Sequence, residues 1–80
     1  MGFYTHYEVE FHQSIDWDDD VTKNHLNVQF LYLRDLDLPR VIVSVYSQNT
    51  IQEILDILKT LYSTPMQYRI YNTNEWIQCP

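Results

Sequence analysis

Between Thr50 and Pro65 the apolar side chains fall into step with a helix, while the segments on either side keep the step of a strand; that change of period limits the fold more than any other feature. Ile51, Ile54, Leu55, Leu58, Leu61 and Tyr62 share one helical face, which has to be laid on an apolar layer. Thr50 followed by Glu53 has the spacing of a capping box, in which each side chain accepts from the other residue's backbone N–H. Ser63, Thr64 and Pro65 end the helix, because proline cannot donate to the ladder.

Ahead of this helix the period is two. In "FYTHYEVEF" the odd positions Phe3, Tyr7, Val9 and Phe11, with Thr5 among them, predict a buried face. His6, Glu8 and Glu10 fall on the wet side, and Tyr4 is its apolar exception. A second strand is predicted in "HLNVQFLYL", residues 25–33, with Leu26, Val28, Phe30 and Tyr32 on one face and an end made apolar on both sides by Leu31 and Leu33. "RVIVSVY", residues 40–46, is rich in β-branched residues and reads as a central strand, with Val41, Val43 and Val45 opposite Ile42, Ser44 and Tyr46. The "RDLDLPR" between them, with Pro39, predicts a turn longer than a tight two-residue hairpin. After the helix, "MQYRIY" and "EWIQC" predict one strand and a short return across the polar turn "NTN".

The expected fold class is therefore α+β: a small antiparallel sheet of four or five strands, in the order β-β-β-α-β(-β), with one amphipathic helix on one face. Eighty residues suit a single domain, 1–80, with one modest core. A 45% hydrophobic content and a single glycine place the chain well away from the disordered regime. The one cysteine, Cys79, allows no internal disulfide and favours a reducing compartment. No window approaches the apolar length of a membrane span, and the N-terminal stretch lacks the basic and apolar regions of a signal peptide. Gly2 invites a myristoylation reading, but His6 stands where that signal requires Ser or Thr. The expectation is a soluble, unprocessed, cytoplasmic protein.

Charge is concentrated at one end. Eleven acidic residues face five basic ones, and Glu8, Glu10, Asp16, Asp18, Asp19 and Asp20 all lie in the first quarter of the chain. In "SIDWDDDVTKN", residues 14–24, the alternate Asp16, Asp18 and Asp20 follow the first ligands of a calcium loop. The rest of that motif fails, with Val21 at its glycine position and Asn27 at its bidentate glutamate. A solvated acidic connection between strands is the plainer reading of the segment. Direct nucleic-acid binding is disfavoured, since such affinity draws on clustered Lys and Arg. The converse is a negative surface that fills a basic groove on another protein, with Trp17 as an aromatic anchor or, in the structural reading, as a cap on the core.

Catalytic patterns are sparse. His6 and His12 lie too far apart on one strand to share a proton or a metal, and His25 approaches His12 only if the long loop brings their ends together. No Ser, Cys or Asp stands at an informative spacing from a histidine, and Gly2 alone cannot make a phosphate loop. No enzyme activity, cofactor or metal is expected.

Seven tyrosines remain, of which Tyr4, Tyr46 and Tyr71 fall on faces opposite the helix-covered ones, as residues of an interface would. Leu31, Leu33, Leu36 and Leu38 around the turn form a second apolar candidate, with packing under the helix end as the alternative. The general profile, very small, acidic and poor in cysteine, resembles that of inhibitors that phages direct against host defence or transcription machinery. The resemblance is one of type and carries over no residue roles. It implies a stoichiometric inhibitor, akin to nucleic-acid mimics and anti-CRISPR proteins, acting in the host cytoplasm on a basic, nucleic-acid-handling complex through Glu8, Glu10, Asp16, Trp17, Asp18, Asp19 and Asp20. The alternative is a homo-oligomer, in the simplest case a homodimer, with a small polar or nucleotide-like ligand at a subunit interface near Arg34, Arg40, Lys59 and Arg69. An accessory subunit of a larger assembly is the blandest reading.

Overall fold

The computed structural model describes residues 3–11, 15–37 and 40–79, with the backbone alone at residues 32, 34–37 and 40. The elements run β1 (Thr5–Phe11), α1 (Asp19–His25), β2 (Val28–Asp37), β3 (Arg40–Ser47), α2 (Ile51–Leu61), β4 (Gln67–Ile70) and β5 (Ile77–Gln78). One five-stranded sheet has the order β2-β3-β1-β4-β5, antiparallel at every pairing. β3 and β4 both run against β1, so α2 carries the chain across β1, the strand placed between them. That α+β architecture is the one the change of period predicts, with a second helix added.

The core lies between the sheet and α2. Val9 and Phe11 of β1, Val41, Val43 and Val45 of β3, and Leu31 of β2 meet Ile54, Leu55 and Leu58 of α2, all of them buried. β3 has β2 and β1 as neighbours, with Val41, Val43 and Val45 in the core beside α2 and Ile42 and Ser44 buried on its other face, a setting that suits β-branched residues. The capping box is complete: Thr50 Oγ1 accepts from Glu53 N at 3.2 Å, and Thr50 N donates to Glu53 Oε1 at 2.8 Å. Those bonds hold the Glu53 carboxyl below its ordinary pKa. A carboxylate depressed in the folded state stabilises above its unfolded pKa, and that contribution is lost as pH falls through the lower, folded value. Thr50→Ala is expected to cost about 1 kcal/mol in urea unfolding at neutral pH. Glu53→Gln should flatten the acid side of the stability curve; an unchanged slope there would show that the box does not favour the charged form.

Four expectations are corrected. The second strand starts at Val28 and not at residue 25, because His25 and the residues before it belong to α1. The strand's face assignment changes at a register shift between Val28 and Phe30. An extra residue on one strand turns every following side chain to the other face, so Phe30 pairs with Tyr46 away from α2, while Leu31 and Leu33 pack against the core. The turn between the second and third strands is not long: Asp37 pairs with Arg40, leaving only residues 38 and 39 between them. Leu38 and Pro39 themselves lie outside the described residues, as does the side chain of Leu36. Finally, Glu8 and Glu10 are not on a wet face: they are 0% and 5% exposed.

Those two glutamates sit on the sheet face turned away from α2, which we term the far face. Here Glu8 stands opposite Ser44 and Arg69, and Glu10 opposite Ile42 and Gln67. Arg69 places its Nε 2.8 Å and its Nη2 2.7 Å from Glu8 Oε1, and its Nη1 donates to Thr73 O. Trp76 covers the guanidinium, whose carbon lies 4.5 Å from the ring centroid. Gln67 donates to Glu10 and accepts from Gln78, which extends the polar row to β5. The turn that brings Trp76 back passes through Asn72, whose φ of 70° is in the left-handed region that asparagine tolerates.

Candidate functional site

The acidic segment is built into a short helix and not into a loose loop. Asp18 has extended backbone angles and its side chain accepts from Val21 N at 3.1 Å, which makes it the N-cap of α1. Asp19 and Asp20 occupy the first turn, and Lys23 and His25 the last, each charge lying at the end of the helix dipole that favours it. Seven residues with little apolar periodicity do not hold a helix alone. Tertiary anchors supply the rest, through Tyr62 just past the end of α2.

The Tyr62 ring stacks on Trp17 with centroids 5.1 Å apart, and its edge meets Phe11 of the core at 6.4 Å. Its hydroxyl accepts from Asp18 N and donates to Asp18 O, each at 3.1 Å, and contacts Thr22 Oγ1. Thr22, fully buried, also donates to Asp18 O at 2.8 Å. Trp17 is half-buried against the core and its indole N–H donates to Asp19. Asp16, Asp18, Asp19 and Asp20 remain exposed around this anchored framework. The result is four carboxylates within five residues, carried on backbone that is bonded to the body of the protein.

The structure thus divides the predicted acidic edge. Asp16, Trp17, Asp18, Asp19 and Asp20 lie together on the helix side, beside the C-terminal end of α2. Glu8 and Glu10 lie on the far face, shielded and engaged by Arg69 and Gln67. Their alternation with odd-numbered core residues is legible in the sequence, but their partners Gln67 and Arg69 lie 57 and 61 residues away.

One pairing escaped sequence reasoning. His6 Nε2 lies 2.7 Å from Ser44 Oγ, across β1 and β3, and the His6 ring stacks on Tyr71 at 4.0 Å. A serine bonded to a histidine is the start of a nucleophile and base arrangement, but here Ser44 is 0% exposed, beneath the surface of the sheet. His25 bonds through Nδ1 to Val21 O, while its suggested neighbour His12 lies outside the described residues. Among the described residues no group of three or more His, Cys, Asp or Glu side chains is placed to hold a metal ion. Of the cationic side chains considered for a polar ligand, Arg69 is committed to Glu8, Thr73 and Trp76, and those of Arg34 and Arg40 are not described. Lys59 lines a shallow cavity of about 270 Å³ with Gln52, Leu55, Asp56, Thr64, Pro65 and Cys79. Burial pushes the Cys79 thiol pKa up, which keeps it protonated and a weak nucleophile. No helix among the described residues is long and apolar enough to cross a membrane.

Compared with family models, with curated proteins and with solved structures, the chain has no match in any of the three.

Proposed function

We propose that this chain is a non-enzymatic protein-interaction module, a small acidic inhibitor that binds stoichiometrically to a basic, nucleic-acid-binding surface of a partner complex. The observation that carries the reading is the exposed group of Asp16, Asp18, Asp19 and Asp20, fixed to the core by Tyr62 and Trp17. Carboxylates held in place lose little conformational freedom on binding, and their field speeds encounter with a positive surface. Glu8 and Glu10, part of the acidic edge expected from the sequence, act in this reading as structural residues. The profile of a very small acidic chain fits inhibitors of phage type, for which the place of action is the host cytoplasm.

Asp18 caps α1, so its reversal would confound loss of charge with loss of the helix. Asp16→Lys with Asp20→Lys is the cleaner variant. Tagged wild-type chain in a native lysate should retain a nucleic-acid-handling complex at low salt, release it at high salt and lose it to added duplex DNA. The double variant should weaken that binding by at least about tenfold, or ~1.4 kcal/mol, while its stability falls by no more than about 1 kcal/mol, the helix-dipole contribution that Asp20 gives up. Undiminished binding by the variant, or capture indifferent to salt and DNA, would overturn the reading.

A further inference from the structure

We infer that the groove between α1 and α2 receives one lysine side chain from the basic partner. The inference rests on the acidic-site reading for the source of that lysine, and on the groove itself for its chemistry. α1 runs back along α2: Asp18, its N-cap, bonds Tyr62, and His25, its last residue, shares with Ile57 and Leu61 a groove of about 170 Å³. Asp56 and Thr60 complete the lining. A volume close to the ~150 Å³ of a cavity that takes up benzene admits a single side chain. Ile57 and Leu61 make the walls apolar, and the Thr60 hydroxyl is engaged within the helix, donating to Asp56 O at 2.9 Å.

Two polar groups remain for a ligand. Asp56 is exposed, and Gln52 Nε2 donates to its Oδ1 at 3.1 Å, which steadies the carboxylate and leaves Oδ2. His25 Nδ1 lies 2.8 Å from Val21 O, which can only accept; Nδ1 therefore donates, and in the neutral ring Nε2 is an acceptor. Acceptors beside an apolar channel match a cation on an aliphatic stem, because the stem buries along carbon while the head meets the carboxylate. With one oxygen already engaged by Gln52, Asp56 suits a compact ammonium better than a guanidinium, whose planar fork gains most from two open oxygens.

Charge and continuity select a lysine of the partner as the occupant. On α1, its approach and α2 the exposed carboxylates are Asp16, Asp18, Asp19, Asp20, Glu53 and Asp56, against Lys23 and Lys59. Lys59 lines the cavity on the other flank of α2, which shares only Asp56 with the groove, and Lys23 belongs to the last turn of α1. Among the described residues neither forms an ion pair with Asp56. The groove is thus left without a resident lysine, inside a negative field that concentrates positive groups. It also continues into the acidic cluster: Leu61 precedes Tyr62, which bonds Asp18, and Val21, 42% exposed, lies one turn before His25 on the same side of α1. A basic surface laid across the aspartates is in position to place one lysine here.

Titration of the full chain with Nα-acetyl-lysine amide, followed by two-dimensional NMR of the backbone amides, tests the site without a partner. The expected result is saturable shifts centred on His25, Asp56, Ile57, Thr60 and Leu61, with a dissociation constant in the millimolar range that so few ligand atoms allow. Acetylating the ammonium of the same amide should weaken binding by at least about tenfold. Asp56→Asn keeps an acceptor for Gln52 and should weaken it by a similar factor, and the arginine amide should bind no better than the lysine amide. Thr60→Trp fills the groove without changing charge; it should abolish the titration and lower retention of the partner complex about tenfold, with wild-type circular dichroism. Shifts that spread over Asp16 to Asp20 without saturating, or a titration unchanged by Asp56→Asn, overturn the lysine site, and full retention of the complex by Thr60→Trp overturns its use by the partner. None of these results bears on Asp16 and Asp20, whereas capture indifferent to salt would fell the acidic-site reading and leave the titration standing, so the two fail separately.

Discussion

Arg69→Ala is expected to lower the stability of this protein by about 3–5 kcal/mol, the cost of taking a guanidinium away from a buried carboxylate. Glu8 is 0% exposed and takes both Nε and Nη2 of Arg69 on one oxygen. The same guanidinium bonds Thr73 O and lies under Trp76, so it also ties the β4–β5 turn to the sheet. Natural domains hold about 0.05–0.15 kcal/mol per residue, and for a chain of 80 residues the loss removes a large share of the total. The pair need not stabilise in itself, because desolvating two charges offsets much of their attraction. Glu8→Met combined with Arg69→Met should therefore recover most of what Arg69→Ala loses, the remainder being the contacts to Thr73 and Trp76. Urea unfolding with equal m-values measures both. A loss under about 1 kcal/mol for the single variant, within the range of exposed pairs, would mean that the charge of Glu8 is compensated without Arg69.

Glu8 also shows why the far face could not be read from the sequence. Alternation places a side chain on one face or the other, and "FYTHYEVEF" assigned Tyr7, Val9 and Phe11 to the core correctly, whereas Phe3, ahead of the strand, is 84% exposed. Whether the even face is wet depends on what the rest of the chain lays over it, and Arg69 arrives from 61 residues away. The second strand was legible as a strand but not in its facing, since the shift between Val28 and Phe30 leaves no mark in the apolar pattern. α2 was the clearest element because each of its signals is local: the Thr50 and Glu53 box, the apolar face and the stop at Pro65. α1 is the opposite case. "DDVTKNH" has one large apolar residue, Val21, which is 42% exposed, and the residue that buries is Thr22. Its helix is specified by the Asp18 cap and by Tyr62, and only the cap can be read locally. The acidic cluster was thus visible as composition, while its presentation on a braced helix was not.

The bracing of that helix can be separated from the stability of the core with two substitutions on one chain of contacts, in which Phe11 meets Tyr62, Tyr62 meets Trp17, and the Tyr62 hydroxyl meets the backbone of Asp18. Phe11→Ala removes a ring that is 0% exposed and should cost about 3–5 kcal/mol, seen as a lower unfolding midpoint for the whole domain. Tyr62→Phe leaves the packing in place and deletes only the hydroxyl, so Asp18 N and Thr22 Oγ1 lose a partner at a cost of about 1–3 kcal/mol. The expected difference lies in where the loss appears. Amide exchange should quicken throughout the sheet in Phe11→Ala, but mainly from Asp18 to His25 in Tyr62→Phe. If the acidic surface works because it is preorganised, Tyr62→Phe should also weaken partner binding although it removes no charge. Normal binding alongside fast exchange in α1 would mean that the aspartates act through their charge alone, and the requirement for a fixed helix would fall while that for Asp16 and Asp20 remained.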